Sequence, residues 1–201
     1  MPDTKRVKIL KLAKRSGVLR PRDLERAGIS GEYLNRLHSE GLLTRPSRGL
    51  YELAEREVSE HQSLIEACKR VPHGVVCLLS ALRFHGLTTQ SPFEVWLAIG
   101  EKTRLPKVES PTLRVVRFSA ASLVFGVKAH KIGRVAVPVT TPAKTVADCF
   151  KYRNKIGLDV ALEALRDCLR KRLATMDSIW EAARVCRMTN VMRPYLEAIA
   201  S

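Results

Sequence analysis

Arg36 is the side chain best suited, by type and place, to read a nucleic-acid base. It sits in a short helical run from Ser30 to Glu40 whose apolar positions are Leu34 and Leu37. With those leucines turned inward, Ser30, Gly31, Glu32, Asn35 and Arg36 fall toward solvent and Tyr33 lies at the margin. A helix that enters a major groove by its N-terminal end presents short polar side chains and arginine to base edges. Tyr33 and Ser30 are then placed to hold phosphates. Glu32 argues against tight nonspecific contact at that face unless it accepts from a cytosine amino group, and its role stays open. Arg45, Ser47 and Arg48 form a second group around a Pro-Ser-Arg-Gly turn, and Arg20 and Arg22 form a third. Backbone phosphates and the adjacent minor groove are the natural targets of both.

These residues need a scaffold, and the first fifty-odd positions spell one. Lys5 to Ser16 sets Ile9, Leu12 and Ala13 on one stripe with Lys8, Lys11 and Lys14 around it, and Gly17 ends the run. Pro21 and Asp23 open a second helix, starting beside Arg20 and closing at Ala27 before Gly28. Ser30 is the expected N-cap of the third. Leu42 to Leu53 then reads as two short strands, which completes a winged helix-turn-helix over residues 1–56. Residues 54–60 are charged and lack a strong apolar period, and read as the connection to a second unit, residues 57–201, or the beginning of its first helix.

That second unit is expected to be α+β, a small sheet followed by C-terminal helices. Helices are expected over Gln62 to Arg70 and from a Ser80 cap to His85, with Val75 to Leu78 open between strand and helix. Strands are expected over Phe93 to Ile99, Leu113 to Phe118, Val127 to Ile132 and Val135 to Thr140. Helices follow over Ala143 to Tyr152, Leu158 to Arg172, Met176 to Met188 and Asn190 to Ala200. Thr141 to Asp148 is the densest local signal: a Thr cap, Pro142 at the first helical position, and Lys144 one turn before Asp148. By itself this spacing describes a helix start carrying an exposed ion pair.

Composition narrows the function classes. The chain has 201 residues, Lys+Arg 35 against Asp+Glu 20 and a formal net charge of +15, which favours polyanionic partners. A hydrophobic share of 45% supplies a real core and excludes a largely disordered basic tail. No apolar run reaches membrane-spanning length and the first residues lack a secretory core, so a cytoplasmic protein is expected. The five cysteines, Cys68, Cys77, Cys149, Cys168 and Cys186, contain no CxxC pair and read as reduced thiols.

Catalytic constellations are weak. His38, His61, His73, His85 and His130 show no paired metal-ligand spacing, and no GxGxxG, GxxxxGK[ST] or GxSxG occurs. Glu94, Glu101 and Glu109 are too scattered to hold a nuclease metal. Neither an enzyme activity, a cofactor nor a metal is expected.

Against this background the sequence resembles the AbiEi family, antitoxin components of type IV toxin-antitoxin systems. The carriers are Gly41-Leu42-Leu43, Arg48-Gly49-Leu50-Tyr51, the run from Leu79 to Thr88, Glu94 to Ile99, and Thr141 to Asp148, spread over essentially the whole chain. The resemblance implies a winged helix that represses its own operon at inverted repeats in double-stranded DNA. It implies a C-terminal domain that antagonises a nucleotidyltransferase toxin, without requiring a stable complex. By the same similarity the DNA-contacting helix falls on Ser30 to Glu40 and the wing on Arg45 to Tyr51. In the antitoxin domain it singles out Ser80, His85, Thr141, Lys144 and Asp148.

Two other readings stay open at this point. One is a stand-alone winged-helix regulator whose C-terminal domain senses a ligand or dimerises. The other is a basic structural or RNA-binding protein with sequence-indifferent, salt-labile affinity. A dimer on DNA is expected only because one short helix reads few bases.

Overall fold

The computed structural model describes residues 4–54, 61–90, 92–133 and 135–200, and the chain is a mixed α/β protein. Its front segment comprises α1 (Thr4–Ser16), α2 (Pro21–Glu25), α3 (Glu32–Ser39) and an antiparallel hairpin of β1 (Leu43–Ser47) and β2 (Leu50–Leu53). Ile9 and Ala13 of α1, Leu24 of α2, Leu34 and Leu37 of α3, and Leu43 and Tyr51 of the hairpin close one apolar cluster. Burying each such leucine is worth about 1.5–3 kcal/mol, which outweighs the weak propensity of helices this short. Leu19 exchanges backbone hydrogen bonds with Tyr51 at 2.7 and 2.9 Å, so the link from α1 to α2 lies along the outer side of β2.

Two helix ends differ from the expected ones. The second helix is Pro21–Glu25, shorter than a run to Ala27, because turn bonds to Leu24 and Glu25 take over at Ala27 and Gly28. The N-cap of α3 is Gly31 rather than Ser30. Ser30 still serves that helix end: its Oγ accepts from the Glu32 N–H at 3.4 Å and its carbonyl from the Tyr33 N–H at 3.3 Å.

The remainder runs α4 (Gln62–Arg70), β3 (Val75–Val76), α5 (Leu78–Phe84), β4 (Val95–Gly100), β5 (Leu113–Phe118), α6 (Ala120–Val124), β6 (Val127–Ile132), β7 (Val135–Thr140), α7 (Pro142–Lys151), α8 (Arg153–Ile156), α9 (Leu158–Arg170), α10 (Met176–Cys186) and α11 (Thr189–Ala200). Its strands form one mixed sheet in the order β5-β4-β3-β7-β6. β3 pairs antiparallel with β4 and parallel with β7; β4 and β5 are parallel, and β6 and β7 antiparallel.

Strand alternation divides the core between two faces. Val95, Leu97 and Ile99 of β4 and Val135, Val137 and Val139 of β7 meet Leu64, Ile65 and Cys68 of α4. Val18 and Leu50 of the front segment join this same cluster. Trp96 and Ala98 of β4 and Val116 and Phe118 of β5 turn the other way, onto α5, α7, α9 and α10. The helices after the sheet therefore complete the sheet's own core and do not form a bundle of their own.

Further differences have local causes. Ser80 is not a cap: α5 starts two residues earlier, with Cys77 extended at its N-cap, and the Ser80 hydroxyl accepts the Trp96 N–H at 2.9 Å. Phe93 lies ahead of β4 and is exposed. The expected helix to Tyr152 is α7, capped at that residue; a short α8 follows it, and Gly157 at φ +96° separates α8 from α9. The expected connection at 54–60 lies outside the described residues beyond Ala54. Among the described residues, no helix is long and apolar enough to cross a membrane.

Candidate nucleic-acid interface

The apolar side of α3 is closed by Leu34 and Leu37, and its outer side carries Glu32, Asn35 and Arg36 into solvent, next to exposed Ser30. Gly31 and Tyr33 are half-buried. Gly31 sits where a Cβ would come 3.0 Å from the Pro21 Cβ, so the bare backbone lets α2 and the start of α3 approach closely. The Arg36 side chain is 66% exposed and its Nε lies 3.1 Å from Glu40 Oε1, one turn on. Arg6 reaches the other oxygen of Glu40 at 3.4 Å. Such exposed pairs contribute little stability and exchange readily for a stronger acceptor. The Lys5 ammonium stands 5.5 Å from the Tyr33 ring centroid.

The hairpin presents Arg45 and Arg48 outward. Arg45 lies over the Tyr51 ring at 5.6 Å, and the Tyr51 hydroxyl donates to Asn35 Oδ1 at 2.5 Å, tying β2 to α3. Gly49 at φ +74° makes the turn. Ser47 is more engaged than an open phosphate contact: Arg70 Nη2 of α4 donates to its hydroxyl oxygen and, at 2.7 Å, to the Arg48 carbonyl.

Arg20 and Arg22 differ from each other. Arg22 is exposed, whereas Arg20 is half-buried, its backbone N–H donating to Asp23 Oδ2 at 2.9 Å. Burial, then the neighbouring Arg22 charge, lowers the Arg20 guanidinium to about 10. Lys69 and Arg70, in the last turn of α4, stand beside this group and were missed by sequence reasoning. Their only local signal was two adjacent cations at a helix C-terminus, an ordinary arrangement there.

The other candidate residues lie deep around α7. Lys144 and Asp148 are a buried pair, not an exposed one: both side chains are 0% exposed and Lys144 Nζ donates to Asp148 Oδ2 at 2.6 Å. The cause is that α7 is buried on every side, from Ala143 to Phe150, between α5, α9 and α10. The ammonium also lies 4.4 Å from the Phe118 ring centroid. Burial pushes the Asp148 carboxyl above its ordinary range, and the Lys144 charge draws it back. Thr141 is the extended N-cap; its carbonyl accepts the Thr145 hydroxyl at 2.9 Å. His85 Nε2 meets the Thr140 carbonyl at 2.7 Å. The bonds of Ser80, His85, Thr141, Lys144 and Asp148 thus tie α5 to β4 and β7 and brace α7 from within.

All five cysteines are buried free thiols, and burial pushes Cys68 and Cys186 up to about 12 and Cys168 to about 11. Such thiols are poor nucleophiles. Among the described residues, no group of three or more His, Cys, Asp or Glu is arranged to hold a metal ion.

Residues 7–54 match the family described as a transcriptional regulator, AbiEi antitoxin, and this match spans the α1-to-β2 segment. It supports a regulatory antitoxin role, and the rest of the chain lies outside it. No curated protein matches the chain. A crystal structure of the RV2827C protein from Mycobacterium tuberculosis is similar in fold, with a TM-score of 0.54 at 16% identity, covering 93% of this chain and 78% of that one. At that identity the likeness speaks to fold alone.

Proposed function

We propose that the chain is a DNA-binding transcriptional repressor and antitoxin, built as a winged helix-turn-helix over residues 1–56 and an antitoxin domain over residues 57–201. In this reading α3 enters the major groove, Arg36 reads a base edge, and Arg45 and Arg48 of the hairpin meet the backbone or the minor groove. The observation that carries it is the coincidence of two things on one segment. Residues 7–54 match the AbiEi regulator family, and within them α3 buries its leucines while presenting Arg36 and Asn35 outward, next to exposed Ser30.

The regulated site is the chain's own promoter, at inverted repeats that a second copy would share. The antagonised partner is a nucleotidyltransferase toxin, countered by residues 57–201 without a stable complex. The cytoplasm is the compartment where both tasks are done.

A reporter driven by the chain's own upstream DNA tests the regulatory half: wild type represses it and Arg36→Ala does not. Repression by Arg36→Ala at wild-type level overturns the assignment of α3. Co-expression with a nucleotidyltransferase toxin tests the other half: residues 57–201 restore growth, and failure of that piece while the full chain succeeds contradicts the division.

A further inference from the structure

Cations from two distant parts of the sequence crowd one cleft. Arg22 and Arg26 come from α2 and its C-terminal flank and Lys69 from the end of α4, with Arg20 and Arg70 close by in the chain but outside the cleft lining. Between them lies a cleft of about 280 Å³ lined by Arg22, Asp23, Arg26, Lys69 and Pro72 among others. Its carboxylate, Asp23, is already engaged, accepting the Arg20 N–H and standing 3.9 Å from Lys69 Nζ. Among the described residues, Arg20 Nη2 and Arg70 Nε are buried without a hydrogen-bond partner. Burial and then the Arg22 charge pull Arg20 down, and burial with Arg20 and Arg22 does the same to Lys69, against the opposing pull of Asp23.

Half-dry cations gathered this way repel one another, and an anion in the cleft would offset that repulsion. Several guanidinium forks beside an ammonium suit a phosphate group, whose oxygens accept from more than one donor at once. The cleft is also mechanically joined to the hairpin, because Arg70 holds the Ser47 hydroxyl and the Arg48 carbonyl.

We propose that the junction of α2 and α4 is a phosphate-binding site, in which Arg22 and Lys69 contact the anion and Arg20 and Arg70 back them. The phosphate is either a backbone phosphate of bound DNA or that of a free small molecule. The first source rests on the repressor reading above and extends the DNA footprint onto α4; the second does not depend on it.

Two measurements on the full-length protein separate these sources. Affinity for the upstream duplex and for a scrambled duplex is titrated against salt, and the melting temperature is compared in inorganic phosphate and in chloride at equal ionic strength. If DNA supplies the phosphate, Lys69→Gln weakens both duplexes about threefold to tenfold with their ratio unchanged, and lowers the slope of log K on log salt by about one. Lys69→Arg restores both. If a free molecule supplies it, inorganic phosphate raises the melting temperature of wild type but not of Lys69→Gln, and duplex affinity is unchanged. Arg22→Gln, altered at an exposed side chain, repeats either pattern should Lys69→Gln fold poorly. Unaltered duplex affinity, salt slope and phosphate response in both variants overturn the site. A wild type that does not distinguish the two duplexes counts against the repressor reading alone, since the phosphate response is scored separately.

Discussion

Lys144 and Asp148 stand one helical turn apart with Nζ 2.6 Å from Oδ2 and no solvent on either side chain. Thr145 on the next position bonds back to Thr140 at 2.7 Å, and Cys186 of α10 donates to Asp148 Oδ1 at 3.4 Å. The pair is therefore a polar knot at the centre of α7 that fixes β7, α7 and α10 in one arrangement.

Breaking one half of the pair leaves the other charge buried alone. Lys144→Met is expected to cost about 3–5 kcal/mol in urea unfolding, and Lys144→Met with Asp148→Leu to recover most of that loss. A double variant as unstable as the single one contradicts the pairing account.

Gly126 is at φ +60°, and a Cβ there would come 2.8 Å from the Lys144 Cβ. Gly126→Ala is expected to destabilise by about 1–3 kcal/mol, from the left-handed backbone and the displaced lysine together. Thermal melting checks it, and an unchanged midpoint would contradict the close approach.

His85 packs against Phe84 and His130 and meets the Thr140 carbonyl. Burial is the main cause that holds its imidazole below the ordinary 6.5, and His130 adds to the effect. The unfolded chain therefore takes up this proton first. The stability contributed is complete above pH 6.5 and is lost as pH falls through the lower folded value. In His85→Gln that part of the acid limb is absent from a denaturation series at stepped pH; an identical acid limb in the variant argues against it.

Much of this was legible locally. The ranges of β5, β6 and β7 follow from short branched runs bounded by Gly, Pro or Ser. Ser80 was misread because Leu78 and Leu79 continue the apolar run from Val75, so nothing nearby marks α5 as starting before it. The burial of Lys144 was hidden for a different reason. An i,i+4 Lys–Asp pair has the spacing of a solvated pair, and what covers it, α5 and Phe118 from before it and α9 and α10 from after it, is brought there by tertiary packing. Lys69 and Arg70 joined the Arg20 group through tertiary contact alone, which no local spacing encodes.

Arg45 and Arg48 lie outward on the hairpin, without the base-reading position proposed for α3. Arg48→Ala is expected to weaken upstream and scrambled duplexes alike and to reduce the salt slope by about one. Fluorescence anisotropy at stepped salt measures it; a loss confined to the upstream duplex would instead make Arg48 a base reader.

The central claim is sequence-specific recognition through α3, and a gel-shift titration of the full chain and of Arg36→Ala tests it most directly. Upstream and scrambled duplexes are compared at two salt concentrations. The account predicts that wild type prefers the upstream duplex at both, and that Arg36→Ala loses about 1–3 kcal/mol of that preference while keeping its nonspecific affinity. Equal, salt-labile binding of both duplexes by wild type would contradict it, and leave the +15 charge as the whole explanation of binding.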